Sequence, residues 1–80
     1  MDVKSSLRHF NRDFKEGKMI EGEGYAFEVS IDGENFKDSF FIPSSEKIGV
    51  DVGLKIGEMV ARVGNKISGT KKMFTLEEEK

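Results

Sequence analysis

The side chains able to do chemistry are few. His9 is the single histidine and cysteine is absent, whereas a serine or threonine nucleophile needs a base within hydrogen-bond reach. His9 has no plausible catalytic partner in the sequence and reads as a solvated residue. A zinc site is excluded on the same count, since zinc is held by thiolates and imidazoles in sets of three or four. No Gly-x-Ser-x-Gly, His-Glu-x-x-His or phosphate-loop pattern occurs. Glu21 and Glu23 lie among glycines with nothing to enclose them. The expectation is a non-enzymatic chain without a cofactor.

Binding chemistry is better represented. Asp32, Glu34 and Asp38 offer oxygens for a weak calcium site, although the alternating Asp-x-Asp-x-Asp-Gly pattern with its distal glutamate is missing and an ordinary hairpin turn is favoured. Gly22-Glu23-Gly24 is not followed by a helix whose N-terminus could receive a phosphate, so a strand start is the better reading. Lys4, Arg8, Arg12 and Lys15 form a basic series that could contact the phosphates of a nucleic acid or of a small ligand. Against that stand a net charge of −2 and a pI near 5.4, far from the basic balance usual in nucleic-acid domains. The aromatic residues, moreover, read as core positions and not as a stacking platform between cations.

These residues need elements to position them. Val3, Leu7, Phe10 and Phe14 recur at helical spacing and would lie within about 60° on a wheel, which predicts an amphipathic helix over 3–16. Asp2 would cap it, Gly17 would stop it, and the basic series would flank its apolar stripe. Tyr25–Ile31 alternates as a strand with one buried face. Asp32-Gly33 then marks a hairpin turn, and Asn35–Ile42 returns to Pro43. A four-residue loop would pair Ile31 with Phe36, and a two-residue loop would pair Val29 with Phe36 and Glu28 with Lys37. Either register leaves the Asp38 carboxylate on the face of Phe36 and Phe40, where it needs a partner. Phe41 points to the opposite face, either covered by a helix or exposed to a partner.

A second helix is predicted over 45–64, because Lys47, Asp51, Lys55, Glu58 and Arg62 fall in one arc of about 80° and supply i, i+4 pairs. Gly49, Gly53 and Gly57 inside it each cost about 1 kcal/mol against alanine. Close approach of a backbone would offset that cost, either the domain's own sheet, which is favoured, or a second copy at a dimer seam. Lys71–Leu76 reads as a third strand, and 77–80 as a frayed acidic tail.

With 80 residues there is room for one core and no second domain. The expected class is a single α+β domain, order α-β-β-α-β, with a three-stranded, mainly antiparallel sheet and two helices. No apolar run suits a signal peptide or a membrane span, and the lack of cysteine suits a reducing compartment, so a cytoplasmic setting is expected. The leading functional expectation is a small binding or regulatory protein acting through protein–protein contact, with self-association as one form of it. Nucleic-acid or phosphate-ligand binding is the alternative, and calcium binding a distant third.

Overall fold

The computed structural model describes residues 1–70. Strands β1 (Val3–Lys15), β2 (Lys18–Ile31) and β3 (Glu34–Pro43) form an antiparallel sheet in the order β1-β2-β3. A 3-10 turn at Ser44–Glu46 leads to one helix, α1 (Val52–Thr70). The order is therefore β-β-β-α, which overturns the expected α-β-β-α-β with two helices. The predicted strand Lys71–Leu76 and the tail 77–80 lie outside the described residues.

The segment expected to be the first helix is a strand. Glu16 and Gly17 both take positive φ, 51° and 78°, the same pair of left-handed residues found at Asp32 and Gly33 with 51° and 87°. Two such residues in succession make the tight turn whose twist matches flanking strands. Gly17 thus ends a strand and does not cap a helix, and Lys15 pairs with Lys18 across it. The local composition agrees, since Ser5, Ser6, His9, Asn11 and Asp13 are all poor helix formers. As a strand, β1 pairs with β2 from Lys15 back to Val3, which satisfies a long row of backbone donors and acceptors. The apolar residues at helical spacing are split by the strand period, Val3 and Leu7 to one face and Phe10 to the other.

The Asp32-Gly33 turn selects the two-residue register, with Ile31 opposite Glu34, Val29 opposite Phe36 and Glu28 opposite Lys37. Two rows of side chains follow from it. One face carries Val3, Ser5, Leu7 and His9 of β1, Ile31, Val29, Phe27 and Tyr25 of β2, and Phe36, Asp38 and Phe40 of β3. Helix α1 packs against the β2–β3 part of this face, where Val63 and Ile67 close on Ile31 and Phe36, with Phe27 and Val29 alongside. Met59, Val63 and Ile67 are buried at i, i+4 and i+8. Burying each such side chain is worth roughly 1.5–3 kcal/mol, so this short stripe anchors the helix.

The helix begins later than its charge pattern suggests. Asp51 caps it, its Oδ1 accepting the Leu54 N–H at 3.0 Å and its backbone oxygen the Lys55 N–H at 3.1 Å. The helix runs beyond the predicted stop at Gly64-Asn65 to Thr70, whose hydroxyl donates to the Ile67 carbonyl at 2.7 Å. Asp51 therefore serves as a cap, and Arg62 reaches across to Asp38 on β3 instead of serving an i, i+4 pair with Glu58. Gly49 lies in the loop before the helix at φ +82°, so the three glycines do not form one helical strip.

Candidate binding surfaces

The fold leaves two surfaces open, one on each side of the sheet. The first is the β1 side of the helix-bearing face. Arg62 bonds to Asp38 and the Lys66 ammonium donates to the Lys37 carbonyl at 2.6 Å, so the charged side of α1 faces the β3 edge. The other flank of the helix, carrying Gly53, Gly57, Val60 and Gly64 by the 100° turn per residue, faces towards β1. There Val60 is 42% exposed, and Val3 and Leu7 of β1 are 49% and 53% exposed. An uncharged helix flank and an apolar strand thus border ground that the single helix does not cover.

The favoured expectation for the glycines is close packing within the monomer. A Cβ built at Gly57 or Gly49 meets nothing within 4 Å, and one at Gly53 meets only the Asp51 Oδ1 at 3.5 Å. Among the described residues no backbone of another element approaches them.

The second surface is the helix-free face. Its grid follows from the register: Lys4, Ser30 and Asn35 form one cross-strand row, then Ser6, Glu28 and Lys37, then Arg8, Ala26 and Ser39, then Phe10, Gly24 and Phe41. Only Gly24 is buried among them, and the side chains are exposed or half-buried. The two phenylalanines reach over Gly24 and stack, centroids 6.0 Å apart and planes within 7°. A Cβ on Gly24 would sit 2.3 Å from the Phe10 ring, which explains why glycine occupies the middle of that row. The Arg8 guanidinium lies 5.3 Å from the Phe10 centroid, and the Lys15 ammonium 5.6 Å from that of Phe41. Between these rows the twisted sheet encloses an open concavity of about 660 Å³ that includes Arg8, Phe10, Glu28, Lys37 and Ser39.

This corrects the placement of the aromatic residues. Phe10 is not a core position: it forms an aromatic pair with Phe41, with a cation over each ring. The basic series also changes its setting. Lys4 and Arg8 share the helix-free face of a strand, Arg12 lies beyond an irregularity in the β1–β2 register opposite Glu21, and Lys15 reaches Phe41 from the turn. Phe41 is covered by no helix among the described residues, and Phe10 is its neighbour.

Asp38 has found its partner inside the chain. It accepts from the Arg62 guanidinium and from the Ser39 N–H at 2.8 Å. The Arg62 bond above all holds the carboxyl below the usual carboxylate range, with the Ser39 N–H and the charges of Arg62 and Lys66 helping and burial opposing. The calcium candidates do not converge. Asp32 is engaged with Asp2, its Oδ1 accepting the Asp2 N–H at 2.8 Å and its own N–H donating to the Asp2 carbonyl at 2.9 Å. Glu34 and Asp38 are four residues apart on one strand, roughly 13 Å at ~3.3 Å per residue. Among the described residues no group of three His, Cys, Asp or Glu is placed to hold a metal.

His9 lies on the helix-bearing face, not on a helix, its ring 4.7 Å from that of Tyr25, which in turn neighbours Phe40 at 5.6 Å. The Tyr25 hydroxyl donates to Glu23 at 2.9 Å, and Lys47 pairs with Glu23 at 3.1 Å. Glu23 is lowered from its ordinary pKa, first by the Tyr25 bond and then by Lys47, and Tyr25 is raised by the same bond. This row ties the loop after β3 to the sheet. Nothing in the sequence pointed to it, because its members are brought together by the register. Among the described residues no helix is long and apolar enough to cross a membrane. No family model, curated protein or solved structure matches the chain.

Proposed function

We propose that this chain is a non-enzymatic binding protein that acts through protein–protein contact, and that the first contact it makes is with a second copy of itself. The observation that carries the reading is the ground between β1 and α1, uncovered among the described residues, where Val3, Leu7 and Val60 stand exposed beside Gly53 and Gly57. A chain of this size commonly needs a disulfide, a metal or self-association to supplement its core. Cysteine is absent, and among the described residues the buried hydrophobics are Ile31, Phe36, Ile42, Met59, Val63 and Ile67. An interface using the same patch on both copies would bury the exposed strand and flank together. The absence of charge on this flank supports that use, since charged residues are depleted at interface centres. A cytoplasmic setting is part of the proposal, supported by the cysteine-free composition, which suits a reducing compartment.

The test is the mass in solution. Light scattering behind size-exclusion chromatography should give twice the chain mass at high protein concentration, and Leu7→Glu and Val60→Glu should each return the monomer with the circular dichroism spectrum unchanged. A wild-type chain that stays monomeric at the highest soluble concentration would remove the proposal.

A further inference from the structure

We infer that the helix-free face of the sheet is a binding platform for single-stranded nucleic acid. The argument rests on three features of that face. First, its charges suit a polyanion: Lys4, Arg8 and Lys37 stand on it, Lys15 reaches its aromatic end, and Glu28 is the one acid in the four rows from Lys4 to Phe41. None of these four cations makes an ion pair among the described residues, where the two pairs are Lys47–Glu23 and Arg62–Asp38. Lysines and arginines held free on one surface are what phosphates bind, through release of their counterions.

Second, the phenylalanines offer faces for bases. Phe10 and Phe41 lie with nearly parallel planes across Gly24, each half-buried, with the Arg8 guanidinium over the first ring and the Lys15 ammonium over the second. Base stacking on aromatic side chains beside cations is how proteins hold single strands without reading their sequence. Third, the floor between the cations is made of small side chains: Ser6, Ala26 and Ser39 line the open concavity of about 660 Å³, and Ser30 lies in a smaller hollow beside it. A single strand laid along β1 would meet Lys4, Arg8 and the Phe10–Phe41 pair in succession.

The acidic net charge does not oppose this placement, because acids gather elsewhere: Glu23, Glu34 and Asp38 on the helix-bearing face, and Asp51 and Glu58 on or beside the helix. Glu28 opposes it locally. That makes Glu28 a diagnostic position, since removing its charge should improve a site for an anion and harm a site for a basic ligand.

The proposal uses the opposite face from the self-association surface, so the two stand or fall separately. The experiment is fluorescence anisotropy with labelled oligo-dT and oligo-rU of about 15 nucleotides, a duplex of the same length, and a poly-glutamate peptide as a purely anionic control. Single strands should bind at about 50 mM salt, with affinity falling roughly 20- to 50-fold by about 200 mM for three to four phosphate contacts. Arg8→Gln should weaken binding and reduce the salt slope by about 0.7, and Phe41→Leu should weaken it at least about fivefold. Glu28→Gln should tighten it. Arg8 is exposed and Glu28 half-buried, so their variants keep the test intact even if Phe41→Leu fails to fold. No binding of single strands at low salt, equal binding of poly-glutamate, or single-strand affinity unchanged by both Arg8→Gln and Glu28→Gln would overturn the proposal.

Discussion

Gly57→Ala separates the two scales on which this chain is organised. Among the described residues nothing lies within 4 Å of the added Cβ, and a glycine inside a helix costs about 0.8–1.0 kcal/mol relative to alanine. The variant monomer should therefore be more stable by about 1 kcal/mol, which for a domain of this size raises Tm by about 4–8 °C. In the dimer the same methyl sits on the helix flank proposed to meet a second copy, where overpacking typically costs about 1–3 kcal/mol. The sign should consequently depend on concentration. With no tryptophan and one tyrosine, the convenient probe is circular dichroism at the helical band, melted from about 2 µM to about 500 µM so that mass action moves the chain from monomer towards dimer. Wild type should gain Tm with concentration, and Gly57→Ala should start higher and gain less. A Tm that falls at every concentration would show that the chain's own backbone packs on Gly57, contrary to the fold described. A Tm raised equally at every concentration would leave the fold intact and remove this flank from any dimer seam.

Gly24→Ala should destabilise the chain by about 1–3 kcal/mol by denaturant titration, because its methyl would have to displace the Phe10 ring that lies 2.3 Å from the built Cβ. Gly33→Ala should destabilise it through its φ of +87° with no steric clash at all, by more than about 1 kcal/mol in the same titration, and Gly33→Asn should recover part of the loss. Asp38 has a folded pKa lowered foremost by Arg62, so its contribution is present above the unfolded value of about 3.9 and fades as pH falls through the folded value. Asp38→Asn should therefore flatten the loss of stability below about pH 4 and cost only about 0.5–1 kcal/mol at pH 7, since Arg62 is half exposed and solvent screens the pair; an unchanged acid limb in thermal melts would show that the pair does not hold in solution.

How far the sequence carried this fold varied by element. Asp32-Gly33 was legible as a tight turn because only a few residue types tolerate two successive positive φ angles, and both candidate registers could be written down beforehand. The choice between them could not, since each gave apolar cross-strand pairs and the turn geometry decided. The alternation of Tyr25–Ile31 and Asn35–Ile42 likewise marked strands, because a half-buried strand must change character at every residue. Asp38 could be flagged as needing a partner from the hydrophobicity of its neighbours alone. That the partner is Arg62, 24 positions away, depended on which way the helix lies across the sheet.

The misreading of residues 3–16 has a definite physical cause. Val3, Leu7, Phe10 and Phe14 imitate a helical stripe, but β1 is an edge strand whose apolar residues are not selected by burial, as the exposure of Val3 and Leu7 shows. Periodicity reports an element only where one face is buried, and here what holds the segment is the backbone ladder to β2, which leaves no trace in side-chain spacing. The same long-range pairing carried Phe10 and Phe41, 31 positions apart, to either side of Gly24. Local chemistry thus determined the turns, the hairpin strands and the existence of α1. Only the tertiary arrangement decided which face the helix covers, and so which residues were left open to bind.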